Sequence, residues 1–327
     1  MRRIIPYLAA ALLLASCEKV LEFDIDSSER QLVLNAVPSA DSTLTVNFAY
    51  SEFFLDTTFD HPVSGADMVV NVNGTDYRPA RQQGSNYFFD YTLKEDDQLA
   101  IRVNANGQQV TAQTYVPRQP QVADPVCYVD SSGTFNLLMV NFTLQDHPGY
   151  KDYYRIYVQQ RDSGLYHRPY YDSIEPSRAY DTIDTVRSTY FCCFDNKLTA
   201  GNAAASQALG GYFYSQLLTT DANIDGESHN VSLIVILTRD TNEVQPYRHD
   251  YTLHVETVTP DRYQYLQDQA QASSLMQLIT EPAPVHSNVT GALGIFAGNA
   301  HKRFPLQVIE RPGASWPDIP DIPDIPR

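Results

Sequence analysis

Between residues 31 and 115 the chain repeats one pattern. A run of five to seven residues rich in β-branched and aromatic side chains is followed by a cluster that favours turns. The runs lie at 31–37, 43–49, 67–72, 87–91, 98–103 and 109–115, several of them alternating apolar with polar side chains. That alternation is what a strand buried on one face requires. Between the runs stand Pro38-Ser39-Ala40-Asp41, Asn73-Gly74, Gln83-Gly84-Ser85-Asn86, Glu95-Asp96-Asp97 and Asn106-Gly107. The two Asn-Gly pairs suit tight hairpins, because both residues tolerate positive φ. Short strands at this spacing predict a small, immunoglobulin-like β-sandwich over 31–115. A longer stretch, 50–62, carries Phe53, Phe54, Leu55 and Phe59 and reads as a loop or irregular edge tucked under its own apolar side chains.

Residues 116–125, with Pro117, Pro120 and Pro125, read as a stiff linker that limits relative domain orientation. A second, larger β-rich domain is expected over 126–310. Its strands are read at 134–144, 153–160, 189–194, 212–218, 231–238 and 251–258, with a polar, tyrosine-rich segment at 163–187. One segment breaks the strand pattern. Thr259 is placed to cap, Pro260 suits the first helical position, and Tyr263, Leu266, Ala270, Leu275, Met276 and Ile279 recur at helical spacing, so one helix is predicted near 260–279. Residues 291–298 read as a tight turn feeding a core strand. The Pro-Asp-Ile triplets of 311–327 lack the donors for sheet or helix and predict an extended tail. The expected class is therefore all-β: two β-sandwich-like domains, the second larger and carrying one helix.

The first sixteen residues have a different character. Arg2 and Arg3 precede a short apolar run, and Leu14-Ala15-Ser16 leads into Cys17, the layout of a bacterial lipoprotein signal cleaved before a lipidated cysteine. The apolar run falls short of the roughly 20 residues a membrane-spanning helix needs. Cys17 is thus the expected lipid-attachment site, and two or three acyl chains anchor firmly because each buried CH₂ contributes about 0.8 kcal/mol. Residues 17–30 form the tether. Glu18, Glu22, Asp24 and Asp26 outnumber Lys19 near its start, and no aspartate follows Cys17, so outer-membrane sorting is expected, with display at the cell surface a further possibility.

Removing Arg2 and Arg3 takes the net charge from −16 to −18. Nucleic acid is excluded as a partner, since phosphate binding needs a basic surface. Three cysteines remain: Cys127, Cys192 and Cys193. They allow one bridge, from Cys127 to Cys192 or Cys193, or three buried free thiols. A ring between the adjacent pair would be strained, and no zinc-ligand spacing surrounds them.

Recognisable catalytic motifs are missing. There is no H-E-x-x-H, no G-x-S-x-G and no phosphate or dinucleotide glycine loop. No cofactor and no enzymatic activity are expected. Asp221, Asn223, Asp225 and Glu227 resemble the front half of a calcium loop, but Ser232 stands where a bidentate glutamate belongs and a strand begins there, so an ordinary strand connection is the preferred reading. Tyr166, Tyr170 and Tyr171 form a candidate ligand surface for stacking on sugar rings.

Several stretches together resemble the Bacteroidetes DUF4249 family of outer-membrane lipoproteins. They are the cysteine with its acidic tether; Gln31-Leu32-Val33-Leu34-Asn35-Ala36, close to the family's LVVNG strand; Pro62-Val63-Ser64-Gly65-Ala66-Asp67-Met68, similar to its PVxGAxV segment; and Glu281-Pro282 through Ser287-Asn288-Val289 to Gly291-Ala292-Leu293-Gly294-Ile295-Phe296-Ala297-Gly298, similar to its EP…SNI…GLGIFGG ending. Ala292 and Ala297 depart from that pattern. The resemblance implies a role beside a TonB-dependent outer-membrane transporter and carries no catalytic residue. Three functions follow as expectations: an accessory binding protein for such an uptake system, an independent surface protein binding glycan or peptide, or a structural envelope lipoprotein.

Overall fold

The computed structural model describes residues 30–52, 60–130, 136–167, 180–199, 213–237, 243–272 and 284–309. Cys17, the loop residues Phe53, Phe54, Leu55 and Phe59, the helix positions Leu275, Met276 and Ile279, and the tail at 311–327 lie outside the described residues. No helix among the described residues is long and apolar enough to cross a membrane.

The protein is built from two sheet-based domains. In the N-terminal one, a sheet in the order β18 (Leu293–Phe296), β1 (Leu32–Ala36), β2 (Thr43–Tyr50), β6 (Asn86–Thr92) and β5 (Arg81–Gln83) faces a sheet in the order β4 (Thr75–Tyr77), β3 (Asp67–Val72), β7 (Gln98–Ala105) and β8 (Gln108–Tyr115). Period-two alternation does the sorting. On β7, Leu99, Ile101, Val103 and Ala105 are buried, while Arg102 and Asn104 are exposed. With Leu34, Leu44, Phe48, Val70 and Phe89 they form one core, each large side chain contributing about 1.5–3 kcal/mol on burial. Both Asn-Gly pairs turn hairpins: Asn73 and Gly74 sit at φ 51° and 88°, Asn106 and Gly107 at 51° and 76°. Asp97 ties the first of these turns to its neighbour by accepting from Asn73 Nδ2 (2.7 Å), Tyr91 Oη (3.0 Å) and the Lys94 amide (2.8 Å).

The second domain pairs a sheet in the order β14 (Phe213–Tyr214), β13 (Phe191–Cys192), β16 (Ser228–Leu237), β10 (Asn136–Gln145), β9 (Gln121–Asp130) and β20 (Val308–Ile309) with one in the order β12 (Tyr180–Thr189), β11 (Tyr153–His167), β17 (Glu243–Val258) and β19 (Asn299–Leu306); β15 (Leu217–Thr220) also pairs with β11. Leu138, Val140, Phe142, Tyr154, Ile156, Leu233, Leu253 and Val255 fill the space between them. One helical turn, α1 (Asn196–Thr199), a 3₁₀ turn at Asp221–Asn223 and one longer helix, α2 (Pro260–Ala272), complete the described elements of this domain. Helix α2 packs through buried Leu266 and through Tyr263, whose ring lies 5.0 Å from that of Tyr153. Thr259 precedes it but does not cap with its side chain. Its hydroxyl has no partner, and its backbone carbonyl accepts from the Tyr263 amide at 2.9 Å.

Two sequence boundaries need correction. The linker is shorter than 116–125, because β9 begins at Gln121, where Gln121, Val122 and Ala123 pair with Gln145, Leu144 and Thr143 of β10. The second domain is not continuous over 126–310 either. Strand β18 leaves it and pairs in parallel with β1, Val33 opposite Leu293 through Ala36 opposite Phe296. The chain then returns at once to the second domain as β19. The chain thus passes between the domains three times: near 116–120, between α2 and β18, and near 297–299.

Candidate functional site

The return crossing is built from the glycine-rich segment 287–298. Asn288 holds it closed: its Oδ1 accepts from the Phe296 amide (3.0 Å), and its Nδ2 donates to the Phe296 carbonyl (2.8 Å) and to Gln113 O of β8 (3.1 Å). Thr290 and Thr111 exchange backbone hydrogen bonds of 3.0 and 2.8 Å, so the segment closes the free edge of β8. The glycines fit because backbone passes close to backbone. A Cβ on Gly294, at φ 109°, would overlap Leu34 O; one on Gly291 would overlap Gln109 O; one on Gly298 would overlap Tyr115 O.

Beside this clasp, the outward face of the sheet β4-β3-β7-β8 forms a groove of about 580 Å³, within the size range of ligand sites. Its floor follows from strand register. Val69, Arg102 and Thr111 lie in one cross-strand row and Asn71, Ala100 and Gln113 in the next. Asn288 and Thr290 of the clasp form one wall, and Asp76 of β4 stands at the opposite rim, accepting from Asn71 Nδ2 at 2.6 Å. Arg102 is exposed on this floor and makes no ion pair or hydrogen bond with a described residue, whereas Arg78, Arg118, Arg155, Arg161, Arg187 and Arg248 are each matched with a carboxylate. The groove therefore offers one uncompensated cation among amide and hydroxyl groups, with a small aliphatic floor and no aromatic ring in its lining.

Sequence reading missed this site, because its residues come from four distant stretches and none belongs to a chemical motif. The signal available was Arg102 at an outward position of an alternating strand. The expected sites are placed elsewhere. Tyr166 lies on β11 opposite Asp181 and Glu243, while Tyr170 and Tyr171 fall outside the described residues, so the tyrosine surface is not assembled in view. Asp221, Asn223, Asp225 and Glu227 turn to separate partners: the Asp152 amide (2.6 Å), Lys197 O (3.0 Å), the Gly149 amide (3.3 Å) and Lys197 Nζ (3.0 Å). Among the described residues no group of three His, Cys, Asp or Glu side chains is arranged to hold a metal.

Cys127, Cys192 and Cys193 are buried free thiols, so the bridge from Cys127 to Cys192 or Cys193 is not formed. Register explains why. Cys127 pairs with Val140 and Val140 with Leu233, while Cys192 pairs with Ile234 beside Leu233. Three strand spacings of about 4.8 Å put the two cysteines roughly 14 Å apart, about twice the reach of a disulfide. Burial pushes all three thiols up to about 11.

Two of the buried polar clusters bear on stability. In the first, Tyr154 Oη donates to Asp146 Oδ1 (2.6 Å), His147 Nδ1 meets Asp152 Oδ2 (2.7 Å), and the Gly226 amide donates to Asp146 Oδ2 (2.9 Å). Burial, then Asp146, pushes the Tyr154 phenol far up, so it stays a donor. In the second, Tyr157, His254 and His301 stack across β11, β17 and β19, with His254 Nδ1 2.9 Å from His301 Nε2. His254 Nε2 is buried without a partner, and burial with the adjacent His301 depresses its pKa to about 4.

No curated protein matches the chain. A family model described as a domain of unknown function, DUF4249, matches residues 18–303, which takes in both domains, the clasp and the groove. The chain belongs to the DUF4249 family.

Proposed function

We propose that this protein is a non-enzymatic, lipid-anchored binding protein of the outer membrane that presents ligand to a TonB-dependent uptake system, with the groove beside Arg102 as its ligand site. The observation that carries the reading is the groove itself: a concave, polar surface with an uncompensated guanidinium, built on rigid strands and walled by the clasp. Rigid strands hold binding groups more accurately than loops do. The lipobox ending at Cys17, the acidic tether and the resemblance to outer-membrane lipoproteins support the anchoring and the transporter partnership.

The test is a mild-detergent pull-down from native outer membranes with the intact lipoprotein as bait and a Cys17→Ala form as the unanchored control. The expected result is one β-barrel transporter at stoichiometric yield with the anchored bait. A clean bait refutes the accessory role and leaves independent glycan or peptide capture, to be screened on arrays. Altered envelope integrity on deletion, with uptake unchanged, would make the protein structural.

A further inference from the structure

We infer that the groove takes a saccharide carrying a single carboxylate, such as a uronic acid linked to a neutral sugar, with the acid group on Arg102. The inference rests on the proposed role of the groove as the ligand site and adds the chemical class of its occupant. Charge is the first argument. The chain's net charge is −16, yet the groove's floor carries a cation, Arg102, exposed and without a described carboxylate partner, and no other cation stands in its lining. A planar, always-charged fork suits a carboxylate, which it binds with two parallel hydrogen bonds.

The neighbours narrow the class. Gln113 and Thr111 lie on the adjacent strand beside Arg102, and Asn71 lies on the strand beyond, so donors and acceptors surround the anion position as a hydroxyl-dense ligand needs. Asp76 stands at the far rim. It accepts hydroxyl donors and repels a second carboxylate, which disfavours polyanions and orients the ligand with its acid toward β7 and β8. The lining offers no ring for stacking a neutral sugar and no apolar pocket for a peptide side chain. A neutral saccharide would therefore lack ring stacking here, and a peptide would lack an apolar anchor.

The experiment uses the purified full chain with Cys17→Ala and calorimetric titration of three probes: glucuronic acid linked to xylose, the same disaccharide with its carboxyl group reduced to an alcohol, and an acetylated Glu-Ser dipeptide amide. The acidic disaccharide is expected to bind, the reduced one at least tenfold more weakly, and R102Q to lower affinity for the acidic form at least tenfold. Gln113→Glu, which keeps the side chain's shape but puts a carboxylate beside Arg102 that pairs with it and repels the ligand's acid group, should do the same. Ala100→Tyr fills the floor and should abolish binding of any groove ligand, and thermal melts of each variant confirm folding. Binding of both sugars that ignores R102Q but is lost in Ala100→Tyr overturns the anionic class and leaves the groove as the site. Binding insensitive to all three variants overturns the groove itself. No binding of the acidic disaccharide, or equal Arg102-dependent binding of the dipeptide, overturns the saccharide assignment.

Discussion

Gly298 is where the crossing near 116–120 and the return near 297–299 meet, and replacing it with alanine tests the clasp directly. A Cβ there would sit 3.0 Å from the Tyr115 carbonyl carbon, closer still to its oxygen, and 3.2 Å from Pro117 Cδ. These are backbone and ring atoms at the start of the other crossing, and they cannot rotate away. The crossings must separate, and two hydrogen bonds are placed at risk: the Gly298 amide to Thr114 Oγ1 (3.0 Å) and the Thr259 amide to the Gly298 carbonyl (3.1 Å). Overpacking costs about 1–3 kcal/mol and the two bonds about 1 kcal/mol each. The reduced freedom of the unfolded chain returns about 0.4–1 kcal/mol, because Gly298 does not adopt a positive φ. The net loss is about 2–4 kcal/mol, read as a lower urea midpoint. Gly65→Ala is the control: φ is 71° but nothing lies within 4 Å of the added Cβ, so backbone strain alone applies, about 1–2 kcal/mol. If Gly298→Ala unfolds at the parent midpoint, or loses no more than Gly65→Ala, the close approach of the crossings does not support the fold and the reasoning fails.

Three further outcomes are expected. Tyr154→Phe leaves Asp146 Oδ1 without the donor it has at 2.6 Å in a buried site, so stability should fall by about 1–3 kcal/mol; a neutral effect in urea unfolding would show that the contact is dispensable. His254 has a folded pKa of about 4 against 6.5 unfolded, so its contribution is fully present above pH 6.5 and is lost as the pH falls toward 4, by about 3 kcal/mol in all. His301, lowered in the same direction, adds to that acid loss, and His254→Gln should flatten the measured profile across this window. In the Cys17→Ala chain the thiols of Cys127, Cys192 and Cys193 should ignore a water-soluble disulfide reagent when native and give three equivalents in denaturant with or without prior reduction; one equivalent without reduction would signal a bridge.

The strands were legible where one face is core and the other water. The run read at 67–72 coincides with β3, and 98–103 and 109–115 lie within β7 and β8, because Leu99, Ile101, Val103 and Val110 alternate with polar residues and Asn-Gly pairs supply the turns. Reading failed where pairing was long-range. Nothing near Leu293 announces that it will lie beside Val33. The short edge strands β4 and β5 were missed because Thr75, Asp76, Arg81, Gln82 and Gln83 carry no apolar alternation. In the segment 163–187, β11 continues to His167 and β12 begins at Tyr180, so backbone pairing with β17 overrides a polar, loop-like composition.

The same topology explains why the glycine-rich segment 287–298 and the candidate site stand together. Gly291, Gly294 and Gly298 are small because the clasp lies against β1 and β8, and Asn288 is an amide because the returning chain presents a donor and an acceptor at Phe296 and an acceptor at Gln113. That alone is architecture. Yet closing the edge of β8 also raises a wall along the outward sheet face, and without it the row from Val69 through Arg102 to Thr111 would be an open surface. A segment that joins the domains thereby makes the groove, so a ligand held there touches the element through which the two domains are coupled. Weakening the clasp at Gly298 should consequently weaken ligand binding at Arg102 as well as stability, and a variant that lost one without the other would separate the two roles.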